Sequence, residues 1–241
     1  VTGNAVLSVF GDITPGEAST LVESSLREIR RGTPPARPSA QVTPRLPARF
    51  KQREPREQAI FMAGFPGVDV KDPRYDALSL ITTAVSGLSS GLSMEVREKR
   101  GLAYDVGAYQ QAGVHPGAFV FYVATREEAL GEVEDIIRRE VQRLAAGGLT
   151  TNELERARRQ LVTESLARLQ DAGSLAMQCA VNEVVGLGYQ HAFTARERFE
   201  ALTAAQVQGA AASLMLTNRM AISVVLPQKQ ENQKPGTPAA D

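Results

Sequence analysis

Apolar positions recur along this chain at two different spacings, and each change of spacing marks an element. Ala59 to Phe65 is a short, nearly continuous apolar run of the kind a buried strand needs, and Met220 to Leu226 is a second. Two more strands are predicted at about 102–112 and 118–125, joined around Gly113 and Pro116-Gly117. Elsewhere the apolar residues fall three and four apart. Asp72-Pro73 opens a helix whose apolar face carries Leu78, Ile81 and Val85. The small-residue loop Ser86 to Gly91 feeds a second helix through Leu92 and Val96, which stops at Gly101. Four helices then follow in succession. One opens at Thr125 with Glu128 in the capping position and carries Leu130, Val133, Ile137, Val141 and Leu144. Another opens at Thr150 with Glu153, a third covers about 173–187, and the last follows the Thr203–Gln206 pair. A few strands followed by a run of helices predicts an α+β fold: a two-layer sandwich, mostly antiparallel sheet, with helices packed on one face.

The N-terminal stretch departs from this pattern. Ala5 to Phe10 reads as a short strand, and Thr14-Pro15-Gly16-Glu17 supplies an N-cap, a first-turn proline and a capping glutamate. The helix that follows has Leu21, Val22, Leu26 and Ile29 as its stripe. A lone strand and helix cannot bury their own faces, so residues 1–33 read as the end of a mostly missing first domain. Val1 stands where a Met or a leader is expected, which fits an upstream segment. Residues 34–57 hold six of the thirteen prolines and an excess of four positive charges, and read as an interdomain linker. Residues 58–227 form the second domain, and residues 228–241 a disordered tail. Asn4 to Val9 also echoes Asn218 and Met220 to Val225, as a duplicated domain would.

Composition narrows the chemistry. With 27 basic and 27 acidic residues the net charge is zero, which excludes a general nucleic-acid binder. One Cys excludes an internal disulfide and a cysteine-built zinc site. No apolar run approaches the roughly 20 residues of a membrane span. The chain has no G-x-S-x-G elbow, P-loop, HExxH or HxxEH. His115 falls in the hairpin loop and His191 between helices, neither with a partner at helical spacing, so both read as surface or capping residues. Cys179, on an apolar helix face, reads as core.

The informative segment is Leu88 to Val106, LSSGLSMEVREKRGLAYDV. Arg97 lies one turn before the Gly101 stop, and Tyr104 lies three residues after it at the start of a strand. A reversal there can bring a guanidinium and a phenol to one oxygen, an arrangement suited to an oxyanion. On the residues alone, a solvated helix end with Tyr104 as a cross-strand filler is the more economical reading.

The run Gly87 to Val106, with VREKRGLAY at its centre, resembles the signature of the second domain of the pitrilysin/insulinase-type zinc peptidases, the inverzincins. That group includes the mitochondrial processing peptidases and the non-catalytic core proteins of a respiratory complex. Phe65-Pro66-Gly67, Asp72-Pro73 and the helix start Thr151 to Ala157 are similar as well, and the likeness runs over nearly the whole chain. The small-residue loop departs from the family, which often has Gly-Gly and an Arg after Ser-Ser where Ser86-Gly87 and Gly91 stand here. The resemblance implies that Arg97 and Tyr104 hold the substrate backbone and stabilise the tetrahedral intermediate of zinc-dependent peptide hydrolysis. It also implies that this chain has no cofactor of its own and is inactive alone. Zinc and the glutamate base then belong to a partner, an HxxEH-bearing domain or subunit, as in a heterodimer, and the substrate is a peptide. The competing expectation is a non-catalytic structural or assembly subunit of the same fold. Ala- and Arg-rich usage points to a bacterial source, with the periplasm favoured over the cytoplasm.

Overall fold

The computed structural model describes residues 3, 5–34, 36 and 44–228. Helix α1 (Pro15–Ser25) is closed by the expected capping box: the Glu17 amide donates to Thr14 Oγ1, and Glu17 accepts from the Thr14 amide. It buries no residue. Ala5 to Phe10 forms no strand, contrary to its pattern, and Val6, Leu7, Val9 and Phe10 are exposed. A strand needs a ladder partner, and none lies beside it among the described residues.

The elements that follow are β1 (Ala48–Glu54), β2 (Ala59–Pro66), α2 (Tyr75–Val85), α3 (Gly91–Ser93) running into a π-helical turn (Met94–Lys99), β3 (Ala103–Gln111), β4 (Ala118–Thr125), α4 (Leu130–Gly147), α5 (Thr151–Arg168), α6 (Ala172–Val185), α7 (Ala195–Ala201), α8 (Ala204–Leu214) and β5 (Ala221–Pro227). They build one sheet in the order β1-β5-β2-β4-β3, antiparallel throughout except for the β1–β5 pair. The sheet with helices on one face is the α+β sandwich that the pattern predicts.

Alternation separates the two faces. Along β2, residues 59, 61, 63 and 65 are buried while those between are half-buried, and β5 repeats the pattern. Phe61, Phe119 and Phe121 sit at the centre of the buried face, with the Phe119 and Phe121 rings edge to face at 5.4 Å. Helix α4 meets them with Val133, Ile136, Ile137, Val141 and Leu144, one stripe at helical spacing. Capping boxes at Thr150–Glu153 and Thr203–Gln206 start α5 and α8 as predicted.

Two further expectations need correction. The tract 34–57 is not wholly linker: its second half is β1, a sheet edge hydrogen-bonded to β5. All of β1 but Ala48 is exposed, so its side chains carry no strand signal; backbone bonds to β5 place it, with Arg49 paired to Glu134 and Arg53 to Glu127. The Pro-rich residues 35 and 37–43 lie outside the described residues, as do Asn4 and the tail from 229 on. Thr125 does not cap the next helix. It ends β4, and a short 3-10 turn (Glu127–Ala129) precedes α4 instead. Its hydroxyl is buried and donates to the Leu102 carbonyl at 2.7 Å.

Candidate functional site

Three backbone irregularities meet between Ser90 and Asp105. Ser90 caps α3, its Oγ accepting from the Ser93 amide at 3.0 Å. The helix then widens into the π-turn, with Val96 buried against the core and Arg97 beside it. Gly101 closes the turn at φ 59°, where a side chain is strained, with its amide donating to the Arg97 carbonyl and that of Leu102 to the Val96 carbonyl. Register then slips in β3. Ala103 pairs with Thr125 and Asp105 with Ala124, so Tyr104 is left as a bulge.

The result is that Arg97 and Tyr104 come together. The Arg97 guanidinium carbon lies 4.7 Å from the centre of the Tyr104 ring, a cation–π contact, and Arg97 Nε is 3.4 Å from Glu98 Oε1. Tyr104 is 77% exposed, and the Arg97 side chain 29%. Both therefore present N–H and O–H donors to solvent. Arg100 ties the π-turn to α4, reaching Glu95 at 2.7 Å and Glu132 at 2.5 Å. Its hydrogen bond holds the Glu95 carboxyl below the usual glutamate range.

Beside this pair, the side of the sheet away from the helices carries a cluster not singled out from the sequence. Tyr122 on β4 lies over Gly107 of β3, where an added Cβ would sit 3.2 Å from the Tyr122 hydroxyl oxygen. That hydroxyl donates to Asp105 Oδ1 at 3.3 Å, and the Tyr109 ring is 6.1 Å from that of Tyr122. Burial first, then the neighbouring Asp105 charge, pushes the Tyr122 phenol up, so it stays a donor at neutral pH. The alternating 105, 107 and 109 on a strand was the available signal, with Gly107 marking a close approach.

His115 sits in the β3–β4 loop, while His191 lies in a 3-10 turn (Tyr189–Phe193) between α6 and α7. Cys179 belongs to a small satellite core with Leu175 and Ala192, and burial pushes its thiol up. Among the described residues no three His, Cys, Asp or Glu side chains gather as metal ligands, so the residues present do not fit a zinc centre.

The fold is an α+β sandwich with the Arg97–Tyr104 pair where the π-helical turn meets β3. The sequence profile of the peptidase M16 inactive domain matches residues 2–161, and the chain belongs to this M16, or pitrilysin/insulinase-type, peptidase family as its inactive C-terminal domain. It is 34% identical over 176 residues to an uncharacterised zinc protease of Streptomyces coelicolor, a match covering 73% of this chain and 38% of that protein. Among solved structures it resembles the M16 inactive domain from Pseudomonas fluorescens, with a TM-score of 0.82 and 25% identity over 93% of this chain and 54% of that one. The periplasmic protease PqqL of Escherichia coli shares the fold at a TM-score of 0.69 and 18% identity, over 90% of this chain and 25% of that one. The chain thus spans little more than half of the Pseudomonas chain and less of the other two.

Proposed function

We propose that this chain is the non-zinc half of an M16 metallopeptidase, either the C-terminal half of a longer protein or a separate subunit. In this reading Arg97 and Tyr104 bind the substrate backbone and donate to the oxygen that gains charge as the peptide carbonyl becomes tetrahedral. The observation that carries it is the contact of the two side chains, 4.7 Å from guanidinium carbon to ring centre, on a base shaped by the π-turn, Gly101 and the bulge. Donors fixed before the reaction need no reorganisation as charge develops, which is where such sites gain most of their effect.

The metal and its HxxEH ligands belong, on this proposal, to a partner domain or subunit. The exposed stub supports that arrangement: Leu21, Leu26 and Ile29 are exposed in and just after α1, which buries no residue of its own. Residues 1–33 then complete the preceding domain, and the tract from 34 up to β1 links the two. A periplasmic setting is favoured by the likeness to a periplasmic protease.

The test uses the assembled peptidase. Arg97→Ala and Tyr104→Phe should each lower turnover of an unfolded peptide about 100- to 1000-fold, with the melting temperature of this chain unchanged. Full turnover in both variants overturns the proposal and leaves the assembly-subunit reading.

A further inference from the structure

The sheet face away from the helices continues directly from the Arg97–Tyr104 corner. Asp105 follows the Tyr104 bulge in the chain, so their Cα atoms are about 3.8 Å apart. Asp105, Gly107 and Tyr109 alternate onto this face, and β4 sets Ala124, Tyr122 and Val120 beside them in register. Gly107 has no side chain, so the Tyr122 ring leans over it, with 6.1 Å between its centre and that of Tyr109. The half-buried Tyr122 and the exposed Tyr109 thus form an aromatic surface, with the Asp105 carboxylate at the end nearest Tyr104.

The charge on this surface is unmatched. Along the three rungs that run from Asp105, Gly107 and Tyr109 across the sheet to β1, Asp105 is the one charged side chain. Its Oδ1 accepts from the Tyr122 hydroxyl at 3.3 Å, and its Oδ2 has no donor among the described residues. The cations in and just after the adjoining π-turn are taken by other carboxylates. Arg97 lies 3.4 Å from Glu98, Lys99 lies 3.4 Å from Glu95, and Arg100 reaches Glu95 and Glu132. An apolar group laid over Asp105 would strip water from the carboxylate and return nothing. An ammonium or guanidinium would pair with it, and the tyrosine rings favour a cation as well.

We propose that Asp105, with Tyr109 and Tyr122, is a specificity site for a lysine or arginine side chain of the peptide substrate. The cationic head pairs with Asp105 Oδ2, and its aliphatic stem lies along the two rings. The inference rests on the proposed reading of this chain as the substrate-binding, non-zinc half of a peptidase.

Peptide binding to the 241-residue chain tests this without turnover, through the backbone amide signals of Asp105, Gly107 and Tyr109 in NMR titrations. The probe is acetyl-Ala-Ala-Lys-Ala-Ala-amide. Its controls carry norleucine, which keeps the stem without the charge, or glutamate in place of lysine. The lysine peptide should shift these signals saturably and bind about tenfold more tightly than either control. Asp105→Asn keeps the shape and the acceptor for Tyr122, and should bring lysine and norleucine within about twofold of each other. The Asp105 side chain is exposed and in no ion pair among the described residues, so this variant keeps the fold. No saturation by the lysine peptide up to about 10 mM, equal binding of norleucine, or a lysine preference that survives in Asp105→Asn overturns the proposal. Turnover by the assembled peptidase separates it from the role of the neighbouring pair. Equal turnover of lysine and norleucine peptides, with Arg97→Ala still impaired, overturns the specificity site alone. Full turnover in Arg97→Ala and Tyr104→Phe, with the lysine preference present, supports the specificity site and overturns the role of the pair.

Discussion

His191 shows how one side chain couples stability to pH. Burial, reinforced by the Arg198 charge and only partly opposed by Asp76, pushes its imidazole below the ordinary 6.5. Below that value the unfolded chain takes up a proton that the folded chain resists. The contribution of a neutral His191 is therefore whole above pH 6.5 and is lost as pH falls through the lowered folded value. Melting temperatures followed from about pH 7 to 5.5 should decline less steeply in His191→Gln than in the natural chain; equal slopes would show that this imidazole is not the group responsible. The same scale shows what the sequence could and could not reveal about the site. Arg97, Gly101 and Tyr104 could be named from the order of residues, because a glycine stop and a seven-residue spacing are local. Their contact could not. It depends on the π-turn and on the slip at Tyr104, which are set by how Val96 and Asp105 seat on the core and on β4.

Elements were legible where their signals are local. Thr150–Glu153 and Thr203–Gln206 cap helices as their spacing predicts, since a capping box involves only its own four residues. Thr125–Glu128 has a similar spacing and fails, because β4 runs on to Thr125 and spends its hydroxyl on the Leu102 carbonyl. That bond joins the end of β4 to the loop between Gly101 and Tyr104. Thr125→Val keeps the shape and removes the donor. It should cost about 1–3 kcal/mol in urea denaturation, the usual penalty for stranding a buried acceptor. A loss under about 0.5 kcal/mol would mean that the Leu102 carbonyl finds another donor. Strand β3, the far edge of the sheet, has its own safeguard. Ser86 Oγ accepts from the Ala108 amide at 3.0 Å and donates to the Ala108 carbonyl at 3.1 Å, occupying groups that an added strand would need. Strand β1 was hidden for the opposite reason, as its partner lies at the other end of the chain and its side chains face solvent.

At the scale of the molecule, the core is one sheet with its helices, and α1 lies outside it. An isolated helix of eleven residues is marginal in water, and α1 buries nothing to improve on that. Hydrogen exchange on the 241-residue chain should find the amides of α1 nearly unprotected beside those of α4. Protection of α1 equal to that of α4 would contradict the reading of residues 1–33 as a stub awaiting the rest of its domain. The one parallel pairing in the sheet has a mechanical consequence. The chain enters β1 at Ala48 and leaves β5 at Pro227, at opposite ends of a seven-residue parallel ladder. Tension drawn between the segments outside those points pulls the two strands past each other lengthwise and loads every rung at once. A peeling geometry would break them singly. A pull on Ala48 against Pro227 is thus resisted in shear, with all the rungs of the β1–β5 ladder sharing the load.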